Sequence, residues 1–400
     1  MGGLALALCV LTGCTAGEPP GGVSRTSAAP APAVVEPPDD RYPLTVLRAA
    51  VDLSPAVPGT PAVATSAVAA PDGGAFVLVT TPEFGGPAYL ATVGTAPAGI
   101  GVLRSVPVPR LRPVWGMALL PDGTVLVAGE FRGRGYGFLV ADPVSGTTRS
   151  SVLVPLEAGT DRASGEMALS ADGETVHLLL RSLVDGRQLT LLVAADTASG
   201  RLLGGRDLLE ELRAVSRATL FSSWLFARPY GGVTVVVDAY RPAAGSSGVP
   251  ALLRYDDALE PVGDPVPMTV LGDGAQLRAA AGTPDGSVYV SVATPAGLWV
   301  LAASPGGSRG SAVLELAARD DDRALAVDPA QGWVLVPAAT GARAVNLATG
   351  GWTPVDVGCP RRPNVAQLLP GRSGASALML GQCDVFGAGT PMLWITGPAP

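Results

Sequence analysis

Lysine is absent from this 400-residue chain, so all 27 basic residues are arginine, and histidine occurs once, at position 177. A lone histidine excludes multi-histidine zinc sites and paired-histidine haem ligation, and any Ser-His-Asp triad would have to use it. Its setting, TVHLLL, reads as a strand, where a hydrogen-bonded structural histidine is the expectation. The four cysteines form no CxxC pair, which removes thiolate zinc motifs. Charge is sparse: 15% of residues, net −7. An acidic chain without basic stripes repels nucleic acid and anionic lipid, so no nucleic-acid partner is expected. Past the first dozen residues no apolar run approaches the roughly 20 residues of a spanning helix. There is no strand followed by G-x-G-x-x-G and no P-loop, so no cofactor is expected.

Hydrophobic residues make up 48% of the chain, too many for wholesale disorder. They come in short runs bounded by Gly, Pro and Asp, which reads as many buried strands. Arginine without lysine, with 52 glycines and 38 prolines, resembles the coding of a high-GC genome.

Residues Leu4–Leu11 (LALALCVL) have the length of a signal-peptide core and end in Leu11-Thr12-Gly13-Cys14. That tetrapeptide resembles the lipobox of bacterial lipoproteins, although Met1-Gly2-Gly3 supplies no positive charge ahead of it. The resemblance implies a signal peptide over 1–13, lipid on Cys14, and anchoring to the outer face of the cell membrane through lipid alone. Two acyl chains suffice for stable anchoring. Residues 14–43, rich in Pro, Ala, Gly and Ser, read as a tether without periodicity. Cys9 would leave with the signal. Cys359 and Cys383 remain as an even pair, for which a disulfide is expected in an oxidising compartment.

Within 44–400 one phrase recurs: small or apolar residues, a Pro/Asp/Gly turn, then a β-branched run. It is clearest at Pro71-Asp72-Gly73, Pro121-Asp122-Gly123, Ala171-Asp172-Gly173 and Pro284-Asp285-Gly286. Weaker copies end on Gly232, Gly332 and Gly374. The seven turn glycines are spaced by 50, 50, 59, 54, 46 and 42 residues, close to the period of propeller blades. Asp-Gly between apolar runs predicts a tight primed hairpin with positive φ at both central residues. A second marker, as in Ala141-Asp142-Pro143-Val144-Ser145-Gly146 or Asn346-Leu347-Ala348-Thr349-Gly350, reads as the turn between third and fourth strands. Each unit is then four antiparallel strands that must stack on neighbours. Leu44–Leu53 precedes the first unit as an orphan strand; pairing it with the last unit would close a ring and remove an exposed edge.

These repeats resemble those of YVTN-type and quinoprotein-like seven-bladed propellers, without the Trp-Asp and Gly-His pairs of WD repeats. The resemblance implies an all-β, seven-bladed propeller with four-stranded antiparallel blades, closed by an N-terminal strand on the last blade. Six or eight blades, or two stacked β domains, are the structural alternatives. Fold alone transfers no activity.

Motifs for chemistry are few. Gly306-Gly307-Ser308-Arg309-Gly310 matches G-x-S-x-G but lies between strands, where a hairpin loop is expected and not a nucleophile elbow. Arg319-Asp320-Asp321-Asp322-Arg323 lacks the calcium-loop pattern and reads as a solvated loop; no metal site is expected. A ligand is best sought where the first strand of each unit begins. Residues there are Arg112, Trp115, Glu166, Trp224, Arg278, Arg323 and Asn364, which could bind a peptide, sugar or small acid by stacking and charge-assisted hydrogen bonds. The leading functional expectation is a non-catalytic module binding a protein, peptide or envelope component. The alternatives are a propeller enzyme (lactonase, lyase or quinoprotein-like dehydrogenase) with an axial metal or cofactor, and a purely structural envelope protein.

Overall fold

The β-branched run Ala75–Thr80 (AFVLVT) is buried at every position, as a strand covered on both faces must be. The computed structural model describes residues 46–397, except 60, 82–85, 98, 156–159, 185–186, 210–211, 213–222, 241–248, 269–275, 295–296, 308–309, 317–323, 361–362, 372–375 and 384–388. Cys9, Cys14 and the tether therefore lie outside the described residues, as do Ser308, Arg309 and the Asp320–Arg323 run.

The strands form seven four-stranded antiparallel sheets. Blades 1 to 6 span Val63–Val108, Val114–Pro155, Thr160–Asp207, Ser223–Pro267, Gln276–Leu316 and Ala326–Asp356, each with its strands paired in chain order. Blade 7 takes Asn364–Pro370, Ala377–Cys383 and Thr390–Gly397, and its fourth, outermost strand is Val46–Asp52. Val46 lies opposite Gly397 and Asp52 opposite Met392. The innermost strands touch in cyclic order, blade 7 returning to blade 1. The protein is a seven-bladed β-propeller closed as its sequence predicts.

The hairpins are where expected but of another type. Ala70 O accepts from Gly73 N–H, Ala70 N–H donates to Gly74 O, and Leu120 repeats both bonds with Gly123 and Thr124. Only the glycine of each Pro-Asp-Gly carries positive φ, at 84° and 85°. This is a type I turn followed by a left-handed glycine, a three-residue loop. Where proline is present its ring holds φ near −65°, which the first central position of a type I turn needs and a primed turn forbids; Ala171-Asp172-Gly173, without proline, also carries positive φ at its glycine alone. Each aspartate side chain then accepts from the backbone two residues on: Gly74, Thr124, Glu174 and Ser287.

Seven apolar clusters hold the ring together, each built from two adjacent blades. Strand alternation produces them. In blade 3, Val176, Leu178 and Leu180 face blade 2, while Leu179 faces blade 4. Arginines lace the outer rim. Arg104 donates to Val144 O, Arg149 to Thr197 O, and Arg254 to Ser304 O and Gly307 O. Arg206 pairs with Glu260 at 3.2 Å. Each reaches from one blade into the next blade's turn between third and fourth strands. Cys359 and Cys383 are joined by a disulfide, Cα atoms 5.5 Å apart, tying the segment before blade 7 to the end of that blade's second strand.

Candidate functional site: the axial cavity

The innermost strand of every blade has one unpaired edge, and seven such edges converge on the axis. Small side chains let them approach: Ala279, Ala280, Ala281 and Gly282 in blade 5, Ala324 and Ala326 beside or in the first strand of blade 6. A cavity of about 390 Å³ remains, lined from all seven blades. Four residues before the residue that opens each first hairpin stand Ser66, Gly116, Glu166, Trp224 and Ala279, and all five line the cavity. Gln367 of blade 7 joins them. In blades 1, 2, 5 and 7 a bulge sits one residue earlier, skipping Thr65, Trp115, Arg278 and Ala366 in the pairing. An extra residue there bends the strand and re-aims its neighbours.

Glu166 is the one ionisable residue among the described residues that line the cavity. Its Oε1 lies 3.6 Å from an amino group of Arg181, and the two side chains keep 29% and 8% of their exposure. Among the described residues nothing hydrogen-bonds Oε2. Burial pushes the carboxyl up to about 7, against the opposing pull of Arg181. The Arg181 guanidinium is itself shifted down by burial, with Glu166 and then Asp238 attracting it. One arginine therefore serves two carboxylates along the seam between blades 3 and 4.

Trp115 reaches the cavity at 9% exposure. Tyr136 stacks on it with centroids 5.5 Å apart, and burial, then Glu130, pushes that tyrosine up to about 12. Gly165 lies so close that a Cβ there would stand 2.4 Å from an indole carbon. Trp115 is thus chiefly a packing residue of the seam between blades 2 and 3. Trp224, half-buried, and Phe226 form the wall of blade 4 beside Glu166.

Of the seven rim residues read from the sequence, the structure brings together Trp115, Glu166 and Trp224. Arg112 is exposed and lines an adjoining pocket of about 340 Å³ with Arg110; Thr65 and Val114 line both spaces. Arg278, in its bulge, and Asn364, at the start of blade 7, are exposed and outside the cavity lining. Arg323 lies outside the described residues. Sequence reading missed Arg181, Phe226, Ser66 and Gln367. Position relative to the hairpin would have found Ser66. Gln367 presents its amide to the free edge of blade 1, its Oε1 accepting from Ala67 N–H at 2.9 Å and its Nε2 donating to Ala67 O at 3.4 Å.

His177 is fully buried in its strand between blades 3 and 4, and neither ring nitrogen has a hydrogen-bond partner among the described residues. The expectation of a hydrogen-bonded histidine is corrected: both ring nitrogens are buried without a hydrogen-bond partner among the described residues. Burial drives it down to about 4, with Asp257 opposing.

No protein-family profile and no curated protein matches this chain. Solved structures do. An oligogalacturonate lyase from Vibrio parahaemolyticus is 10% identical with a TM-score of 0.56, over 90% of this chain and 92% of that one. The likeness is one of fold. An oligogalacturonate lyase in complex with manganese is 13% identical at a TM-score of 0.54, over 81% and 86%. Hydrazine synthase from Kuenenia stuttgartiensis is 13% identical at 0.51, over 80% and 93%. Among the described residues of this chain no three His, Cys, Asp or Glu side chains gather to a metal-sized cluster.

Proposed function

We propose that this protein is an exported binding module, lipid-anchored through Cys14 to the outer face of the membrane, whose ring engages a protein, peptide or envelope component through the axial cavity. One observation carries the binding role. Where blade 5 presents Ala279, Ala280, Ala281 and Gly282 to the cavity, blades 2 to 4 present Trp115, Glu166, Trp224 and Phe226. A ring needing only closure has no use for a carboxyl there, since replacing a buried ion pair such as Glu166–Arg181 by apolar residues of similar volume is often neutral or stabilising. The disulfide supports an oxidising compartment; the tetrapeptide at Cys14 supports the anchor.

The test has two arms. Metabolic labelling with a radioactive fatty acid marks the wild type, and Cys14→Ala abolishes the label; labelled Cys14→Ala protein overturns the anchor. A photo-crosslinking residue at Phe226, in intact membranes, yields a discrete adduct that Trp224→Ala removes. No adduct, or one indifferent to Trp224→Ala, overturns the cavity as the site.

A second reading, a propeller enzyme, is favoured by Glu166 itself, since a cavity carboxyl near 7 is poised for proton transfer. Elemental analysis and an absorbance spectrum of the purified protein test it: bound metal or a cofactor band supports it.

A further inference from the structure

We propose that the axial cavity takes its ligand through a carboxamide, hydrogen-bonded to the bare inner edge of blade 5 at Ala280 and seated against Trp224 and Phe226. The inference rests on the cavity being a binding site and names the group it recognises. Ala279, Ala280, Ala281 and Gly282 all line the cavity. Successive side chains of a strand point to opposite faces. Four consecutive residues therefore border one space only where the strand turns its edge, and with it the main chain, toward that space. The hairpin fixes which groups face outward. Thr283 N–H donates to Ser287 O, so Thr283 and Ala281 bond the second strand, while Ala280 and Gly282 aim N–H and C=O at the free edge. Among the described residues no hydrogen bond reaches them there. Ala280 keeps 9% of its exposure and Gly282 is half-buried.

Blade 1 shows what such an edge accepts. Ala67 holds the same position as Ala280, three residues ahead of the residue that opens the hairpin. The Gln367 amide of the preceding blade takes both of its main-chain groups, accepting from N–H and donating to C=O. On blade 4 the place of Gln367 is held by Trp224, which packs with Ala280 in one apolar cluster. An indole has one donor and no acceptor, so it leaves Ala280 N–H unanswered and offers, with Phe226, an apolar wall. A primary carboxamide sets an acceptor beside a donor, and one residue of an extended peptide does the same. A carboxylate or ketone has nothing for Ala280 O, and an ammonium has nothing for Ala280 N–H. The volume of about 390 Å³ admits a carboxamide with an apolar stem.

The experiment uses the full chain and follows the Ala280 and Gly282 amide signals by NMR. Butyramide and N-acetylalanine N′-methylamide carry donor and acceptor; 2-pentanone and N,N-dimethylbutyramide carry an acceptor only. The expected result is saturable binding of the first two, with a downfield shift at Ala280 N–H, and binding of the acceptor-only probes weaker by about fivefold or more. Tighter binding of the peptide names an extended segment as the source, and tighter binding of butyramide a side-chain amide. Trp224→Gln sets an internal amide on Ala280, as Gln367 sits on Ala67, and removes the preference for the donor-bearing probes; Trp224→Leu weakens all four alike. Should Trp224→Gln not fold, Ala280→Pro deletes the N–H at a free edge, where proline is tolerated and where blade 7 itself carries Pro370. That variant weakens butyramide about fivefold or more. Acceptor-only probes that bind as tightly as butyramide overturn the proposal, as does binding indifferent to both Trp224→Gln and Ala280→Pro; the cavity then stands as a site for other chemistry. No shift with any probe removes both readings.

Discussion

Gly165 has no room for even one more carbon, since its missing Cβ would stand 2.4 to 2.7 Å from three carbons of the Trp115 indole. Gly165→Ala should therefore lose about 2–3 kcal/mol of stability through overpacking, measured by urea unfolding. Adding Trp115→Leu should return part of that loss, because the clash and not the backbone is the cause. Two titrating groups on the seam between blades 3 and 4 pull stability in opposite directions. His177 falls from 6.5 to about 4 on folding, so the unfolded chain takes up the proton first. Its contribution is complete above about pH 6.5 and drains away as pH falls toward 4, by up to roughly 3 kcal/mol. Glu166 rises from 4.5 to about 7; here the folded state holds the proton longer, and stability declines as pH rises through that interval. Between about pH 4.5 and 6.5 the two contributions cancel, so urea midpoints there should fall with rising pH in His177→Leu and climb with rising pH in Glu166→Gln, each relative to the wild type. Identical profiles for all three proteins would contradict both assignments.

At the scale of strands and turns, the sequence was most legible where backbone conformation demands a residue type. A left-handed turn position asks for glycine, and Gly73, Gly123, Gly173 and Gly286 all meet it. The dipeptide Asp-Gly does not fix the turn type, since the aspartate keeps negative φ at all four. The cavity was only partly legible. Trp115, Glu166 and Trp224 lie on first strands that the repeat located, but Arg278 and Asn364 turn outward. The bulge does not account for Arg278, because Thr65, Trp115 and Ala366 are skipped at the same place and all line the cavity. Arg181 was hidden because it comes from a second strand and reaches the cavity's carboxylate only through cross-strand pairing. The same free strand edges explain Gln367. Gln367→Leu leaves the Ala67 N–H and C=O without that amide and should cost about 1–3 kcal/mol, seen as a lower urea midpoint with native circular dichroism.

For the ring as a whole, stability is distributed over seven similar apolar seams, and only one blade is assembled from distant parts of the chain. Removing Val46–Asp52 bares the Thr390–Gly397 edge, whose apolar side chains are buried. That deletion should convert a monodisperse protein into aggregates by edge-to-edge pairing, visible by size-exclusion chromatography. Reducing the Cys359–Cys383 bond, which closes a loop of 24 residues, should lower stability by roughly 3 kcal/mol without opening the ring. Blade number and closure were readable from the sequence because a repeat that cannot bury its faces alone leaves few arrangements.

Closure by Val46–Asp52 sets an order of events during biosynthesis. A ribosome makes this strand before any blade, and its partner, Thr390–Gly397, only after the first six blades. Until the seventh blade is made the strand has nothing to pair with, and long-range pairings of this kind form slowly. The ring consequently cannot shut until Thr390–Gly397 has left the ribosome.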